Sequence, residues 1–95
     1  MARLSAKLRS AEGAIVHWCP GCQSMHLIPI GEPYKLRWDF NGDLERPTFA
    51  PSVKHSWNDT RCCHYFIRAG QIEYCGDCTH MLRGQTVPLP DLPSA

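Results

Sequence analysis

A chain of 95 residues with ten basic and nine acidic side chains carries a formal charge of +1, which argues against the strongly basic surface that bulk binding to polyanions requires. Six cysteines in so short a chain mark a small fold that takes help from a metal or from disulfides. No apolar run approaches the ~20 residues that span a bilayer and no hydrophobic signal core follows Met1, so the expectation is one soluble cytoplasmic domain without a membrane partner, whose reduced Cys-x-x-Cys pairs are metal ligands.

Residues 1–13 read as a short N-terminal helix or a flexible terminus: Leu4 and Leu8 fall at i, i+4, and Gly13 ends the segment. The basic bias at Arg3, Lys7 and Arg9 is that of a solvated terminus. A strand over residues 14–18 leads into Cys19-Pro20-Gly21-Cys22. There Pro fixes φ and Gly permits a tight return, so that two thiolates reach one ion. A redox dithiol is the competing reading, but it sits at a helix start after a βαβ pattern that this chain lacks.

Residues 25–30 form a second apolar strand carrying His26. Residues 35–40 read as a third, with Leu36, Trp38 and Phe40 on one face, followed by the turn dipeptide Asn41-Gly42. A two-residue turn there would set Leu44 opposite Asp39 and Glu45 opposite Trp38, so residues 43–47 read as a charged loop. Pro51 makes residues 48–53 an edge strand or an extended connection, and residues 54–61 read as a polar surface loop around Trp57.

The clearest pattern lies in residues 61–80. Tyr65, Ile67, Ile72 and Tyr74 alternate about a tight turn at Ala69-Gly70. Pairing Arg68 with Gln71 sets Ile67 against Ile72, Tyr65 against Tyr74 and Cys63 against Gly76, with Cys78 diagonal to Cys63. His64 and Cys75 then face the opposite side, and a one-residue slip would change every neighbour. The tail, residues 84–95, alternates prolines with apolar residues and suits an extended arm. The expected fold is therefore a small, single-domain, mostly antiparallel β fold of zinc-ribbon type. Its expected core is Ile15, Leu27, Trp38, Phe40, Tyr65, Ile67, Ile72 and Tyr74.

Six cysteines and five histidines exceed the four ligands of one structural Zn2+ site. Pairing Cys19/Cys22 with Cys75/Cys78 is the simplest choice. Replacing Cys75 by Cys63 puts the ion beside the apolar face it supports, and Gly76 opposite Cys63 leaves room for the knuckle. The favoured set is Cys19, Cys22, Cys63 and Cys78, with His80 and Cys75 in reserve. Cys62 reads as a spare thiol and His17 and His55 as ordinary polar residues, whereas His26, His64 and His80 cluster near the predicted metal region.

The order CPGC, WDFNGDLERPTFAPS, CHYF…GQI…DCTH and GQTVPLPDL resembles a family of small phage and prophage proteins commonly labelled "ammonia monooxygenase". The label conflicts with the chain's lack of a spanning segment. The resemblance implies phage origin, a zinc-ribbon-like β fold and family cysteines at Cys19, Cys22, Cys63 and Cys78, with histidines at His64 and His80. Cys62 and Cys75 would then be peculiar to this chain.

Three functions fit these residues. The first is a zinc-stabilised interaction module that binds a host or phage protein. The second is a metal-dependent hydrolase using His26, His64, His80, Asp43 and Glu45, although neither H-E-x-x-H nor H-x-E…P-C-x-x-C is present. The third is nucleic-acid binding through Arg37, Arg46, Arg61 and Arg68 with Trp38, Trp57 and Tyr65, which the near-neutral charge disfavours. Because the charged loop goes beyond what a turn needs and lies within the resemblance, Asp43, Glu45, His64 and His80 are expected to share one polar binding or catalytic patch.

Overall fold

Residues 2–93 are described by the computed structural model, and among them lie nine strands and no helix. Met1 and the last two positions of the expected tail, 94–95, fall outside the described residues. The first sheet holds β1 (Ala2–Arg3), β2 (Arg9–Ala11), β3 (Ala14–Cys19) and β4 (Ser24–Pro29) in that order. The second holds β5 (Asp39–Phe40), β6 (Phe49–Asn58), β7 (Arg61–Arg68), β8 (Gln71–Tyr74) and β9 (Thr86–Pro88), again in chain order. Every pairing is antiparallel, so the mostly β, single-domain expectation holds.

The N-terminal segment is a correction: it is a hairpin, not a helix. Ser5 Oγ accepts the backbone N–H groups of Lys7 and Leu8, closing a turn between β1 and β2. Leu8 is fully buried whereas Leu4 is exposed, so the i, i+4 spacing marks one anchor rather than an apolar stripe.

The last long hairpin has the register the alternation demands, with Tyr65↔Tyr74, Ile67↔Ile72 and Arg68↔Gln71 opposed. Ala69 and Gly70 both take positive φ, the requirement of a tight two-residue turn. Two segments differ from expectation. The strand foreseen over 35–40 shortens to β5, because the Trp38 N–H donates across to Pro29 O on the first sheet. The loop foreseen over 54–61 is instead the second half of β6, which pairs with β7 through Lys54↔His64, His55↔Cys63 and Ser56↔Cys62. Pro51 sits in the register shift between Phe49 and Val53, where a missing donor is tolerated.

The sheets meet over one core that includes Leu8, Ile15, Ile28, Phe49, Val53, Tyr65, Ile67, Ile72, Tyr74 and Leu89. Trp38 and Phe40 pack at its margin, while Leu27 remains 36% exposed because its strand alternates the other way. β9 pairs with β8, and beyond it Leu89 and Leu92 are buried, the Leu92 N–H donating to Ala6 O. Among the described residues no helix is long and apolar enough to cross a membrane.

Candidate active site and metal centre

The knuckle after β3, the start of β7 and the turn after β8 converge on one point. Cys19, Cys22, Cys63 and His80 each offer a ligand atom, all lying within 4.8 Å of one another, and this group can hold a metal ion. Cys19 Sγ lies 3.8 Å from Cys63 Sγ, and His80 Nε2 lies 3.4 Å from Cys63 Sγ. Around them, the Tyr74 hydroxyl and the Cys22 N–H both reach Cys19 Sγ, at 3.1 and 3.4 Å. Such donors stabilise a thiolate, and they hold Cys19 well below its ordinary value, at about 5, with the Cys63 hydrogen bond the largest contribution. Its neighbours move the other way. Cys63 is pushed up mainly because it donates to Cys19, and burial lifts Cys22 to about 11. Several sulfurs this close do not ionise together unless a cation offsets their mutual repulsion, which is what a bound metal supplies.

Gly21 has a steric role here, because a Cβ at that position would collide with the His80 ring. The knuckle glycine is what allows the imidazole to close the cluster. His80 Nδ1 accepts the Leu82 N–H, so a metal on Nε2 would require that contact to open. Cys78 lies outside the group. Its Sγ accepts the His64 N–H at 3.1 Å and donates to His64 O at 2.9 Å, holding the backbone of β7.

On the outer face of the second sheet a different constellation forms. Lys54 pairs with His64, and Ser52, two residues before Lys54, shares its face. The Ser52 hydroxyl and His64 Nε2 are 3.0 Å apart. His64 Nδ1 lies 3.1 Å from both carboxylate oxygens of Asp77, which the turn after β8 brings alongside. The Asp77 carboxyl is raised by burial, but the hydrogen bond and charge of His64, helped by Lys54 at 3.6 Å, outweigh this and hold it below the usual carboxylate value. With the proton on Nδ1 facing Asp77, Nε2 is free to accept the serine proton. Serine, histidine and aspartate thus lie in the connected order of a nucleophile, a general base and the group that orients it.

A third cluster joins the sheets. The buried Tyr65 hydroxyl lies 2.7 Å from His17 Nε2, 3.2 Å from His26 Nδ1 and 3.2 Å from His55 Nε2. Burial lowers all three histidines, His17 to about 4 and His26 to about 3, so all are neutral near pH 7. A histidine that charges near 6.5 when unfolded but near 3 when folded makes the unfolded chain the better proton binder between those values. Stability is therefore full above pH 6.5 and falls as the pH drops. Replacing His26 by Gln, which keeps a polar partner for Tyr65, should shrink the stability loss between pH 7 and pH 5 by about 2 kcal/mol. Urea denaturation at both pH values checks this, and an unchanged loss would remove His26 as its source.

The expected polar patch has three separate settings. Asp43 Oδ1 accepts the N–H groups of Glu45 and Arg46 inside its own loop, and these two donors hold its carboxyl low. His64 belongs to the serine–aspartate line, and His80 to the cysteine cluster. Ser52 and Asp77 had no local signal in the sequence. Only the β6–β7 pairing, hidden by Pro51, would have placed Ser52 beside His64. His17 and His55, read as ordinary polar residues, line the sheet interface.

A family model described as "Bacterial ubiquitination-like system serine protease (BubE)" matches residues 2–75. The match includes Ser52 and His64 and ends two residues before Asp77. It supports neither the phage family that the motifs resemble nor its ammonia monooxygenase label. No curated protein and no solved structure matches the chain.

Proposed function

The chain belongs to the BubE family of bacterial ubiquitination-like system serine proteases, and from that premise we propose that it hydrolyses an amide bond of a polypeptide in such a system, with Ser52 as nucleophile. The observation that carries the reading is the unbroken line from the Ser52 hydroxyl through His64 to Asp77, at 3.0 and 3.1 Å. Ser52 Oγ attacks the scissile carbonyl as His64 Nε2 takes its proton. The same proton then passes to the departing amine, leaving an acyl ester on Ser52. Water, deprotonated by His64, cleaves that ester and restores the hydroxyl. Asp77 keeps the Nδ1 proton in place and favours the imidazolium formed in both steps. The chain order Ser, His, Asp differs from that of familiar hydrolase families, but such sites are recognised by geometry rather than order.

The metal in this reading is structural zinc held by Cys19, Cys22, Cys63 and His80. Three thiolates and an imidazole form a closed ligand set for that ion, and no step of the hydrolysis passes through it. The six thiols, all free, suit the reducing bacterial cytoplasm.

A fluorophosphonate probe tests the proposal, because an activated serine displaces its fluoride and is phosphonylated. Labelling should occur at Ser52, mapped by peptide mass spectrometry, and vanish in His64→Ala. A chain that stays unlabelled under conditions where it is folded and metal-loaded would overturn the peptidase. The zinc-stabilised interaction module, binding a host or phage protein, would then take its place.

A further inference from the structure

Besides the cysteine cluster, His64, Cys75 and Asp77 form another group whose ligand atoms lie within 4.8 Å of one another. The backbone brings Cys75 there, because its N–H donates to His64 O at 2.9 Å, continuing the β7–β8 ladder by one residue. None of the three is fully buried, Asp77 being exposed, so an ion from solution can reach them. Cys75 has no part in the hydrolysis described above. In the resting protein burial, followed by the negative charge of Asp77, pushes the Cys75 thiol up.

We propose that His64 Nδ1, the Cys75 sulfur and the Asp77 carboxylate form a second, reversible metal site that takes a thiophilic divalent cation such as Zn2+ and thereby switches the triad off. Imidazole, thiolate and carboxylate are together a zinc-type donor set, with a fourth position left for water. Proton bookkeeping explains the inhibition. On binding, Cys75 loses its thiol proton to solvent and the metal occupies Nδ1. A neutral imidazole keeps one ring proton, which must then sit on Nε2. Nε2 can no longer accept the Ser52 proton, and Asp77 is drawn from orienting the base to ligating the ion. Lys54, 3.6 Å from Asp77, competes for the carboxylate, so this site is weaker than the cysteine cluster.

The inhibitory half of the proposal rests on the Ser52–His64–Asp77 reading, whereas the binding half does not. Protein carrying one equivalent of Zn2+ is titrated with further Zn2+ by calorimetry, and fluorophosphonate labelling is followed in parallel. A second equivalent should bind, and the labelling rate should fall as it fills. Cys75→Ser should keep the resting labelling rate while weakening the second equivalent by roughly tenfold or more, one of three ligands being lost. Cys62→Ser should change neither. Absence of a second equivalent, or a second equivalent indifferent to Cys75→Ser, overturns the site. A second equivalent that depends on Cys75 but leaves labelling untouched overturns the switch. If Cys75-dependent binding is seen while no serine is ever labelled, the metal site stands and the peptidase reading fails.

Discussion

Ser52→Ala is expected to lower hydrolysis by roughly 10⁴- to 10⁶-fold, the scale seen when a triad nucleophile is removed, while the melting temperature and metal content stay close to those of the parent. The Ser52 hydroxyl bonds His64 and is not part of the core, so its loss leaves the packing intact. His64→Ala should cost about as much, and the double variant no more than either alone, because nucleophile and base act as a unit. Asp77→Asn should cost less than the roughly 10⁴-fold known for a buried triad aspartate. The Asp77 side chain is 49% exposed, so water shares its work of steadying the imidazolium. Turnover of a polypeptide substrate from the same kind of system provides the measurement. Full activity in Ser52→Ala would exclude this serine, and equal losses for all three variants would mean that Asp77 does more than orient His64.

Stripping the metal should unfold the protein rather than merely inactivate it. Structural zinc contributes on the order of 10–16 kcal/mol in small peptides, against a net domain stability of about 5–15 kcal/mol. The ligands come from both sheets: Cys19 ends β3, Cys22 follows it, Cys63 lies in β7 and His80 follows β8. Removal of the ion would leave these sulfurs crowded without a cation and cut one of the links between the sheets, leaving the shared core and the Tyr65–histidine contacts to hold them. Strong chelation should therefore collapse the thermal transition. Cys63→Ser should lose the first equivalent of metal, Cys75→Ser should retain it, and Gly21→Ala should weaken it by displacing the His80 ring. Metal analysis together with thermal melts decides the point. A chelated chain that melts as before would show that the two sheets hold together without the ion, and retention of metal by Cys63→Ser would break the ligand assignment.

The β7–β8 hairpin and the cysteine knuckle were legible in the sequence because each is a local pattern. Alternation across a two-residue turn specifies register, and a Cys-Pro-Gly-Cys return brings its own two sulfurs together. His80 was harder to rank against Cys78, since two residues in a turn do not alternate as they would in a strand. β6 was hidden because its outer face carries Ser52, Lys54 and Ser56, and Pro51 interrupts its start. Ser52, His64 and Asp77 are each a dozen or so positions apart, so only the pairing of β6 with β7 and the turn after β8 brings them together. The loop over residues 41–48 presents the opposite case. Its charges are conspicuous in sequence, yet Asn41 and Asp43 spend their side chains on the loop's own backbone. The alternation of β7 places Tyr65 in the core, but the three histidines around its hydroxyl come from β3, β4 and β6, which no local pattern connects.

Cys63 and His64 are consecutive residues on β7, one turned toward Cys19, Cys22 and His80 and the other toward Ser52. In a strand, neighbouring side chains exchange faces if the pairing slips by one position. A slipped β7 would thus aim the imidazole at the metal ligands and the thiol at the serine, spoiling both centres together. A chain assembled in the wrong register would form neither the cysteine–histidine cluster nor the Ser52–His64 contact, so one dipeptide ties both sites to the correct pairing of β7.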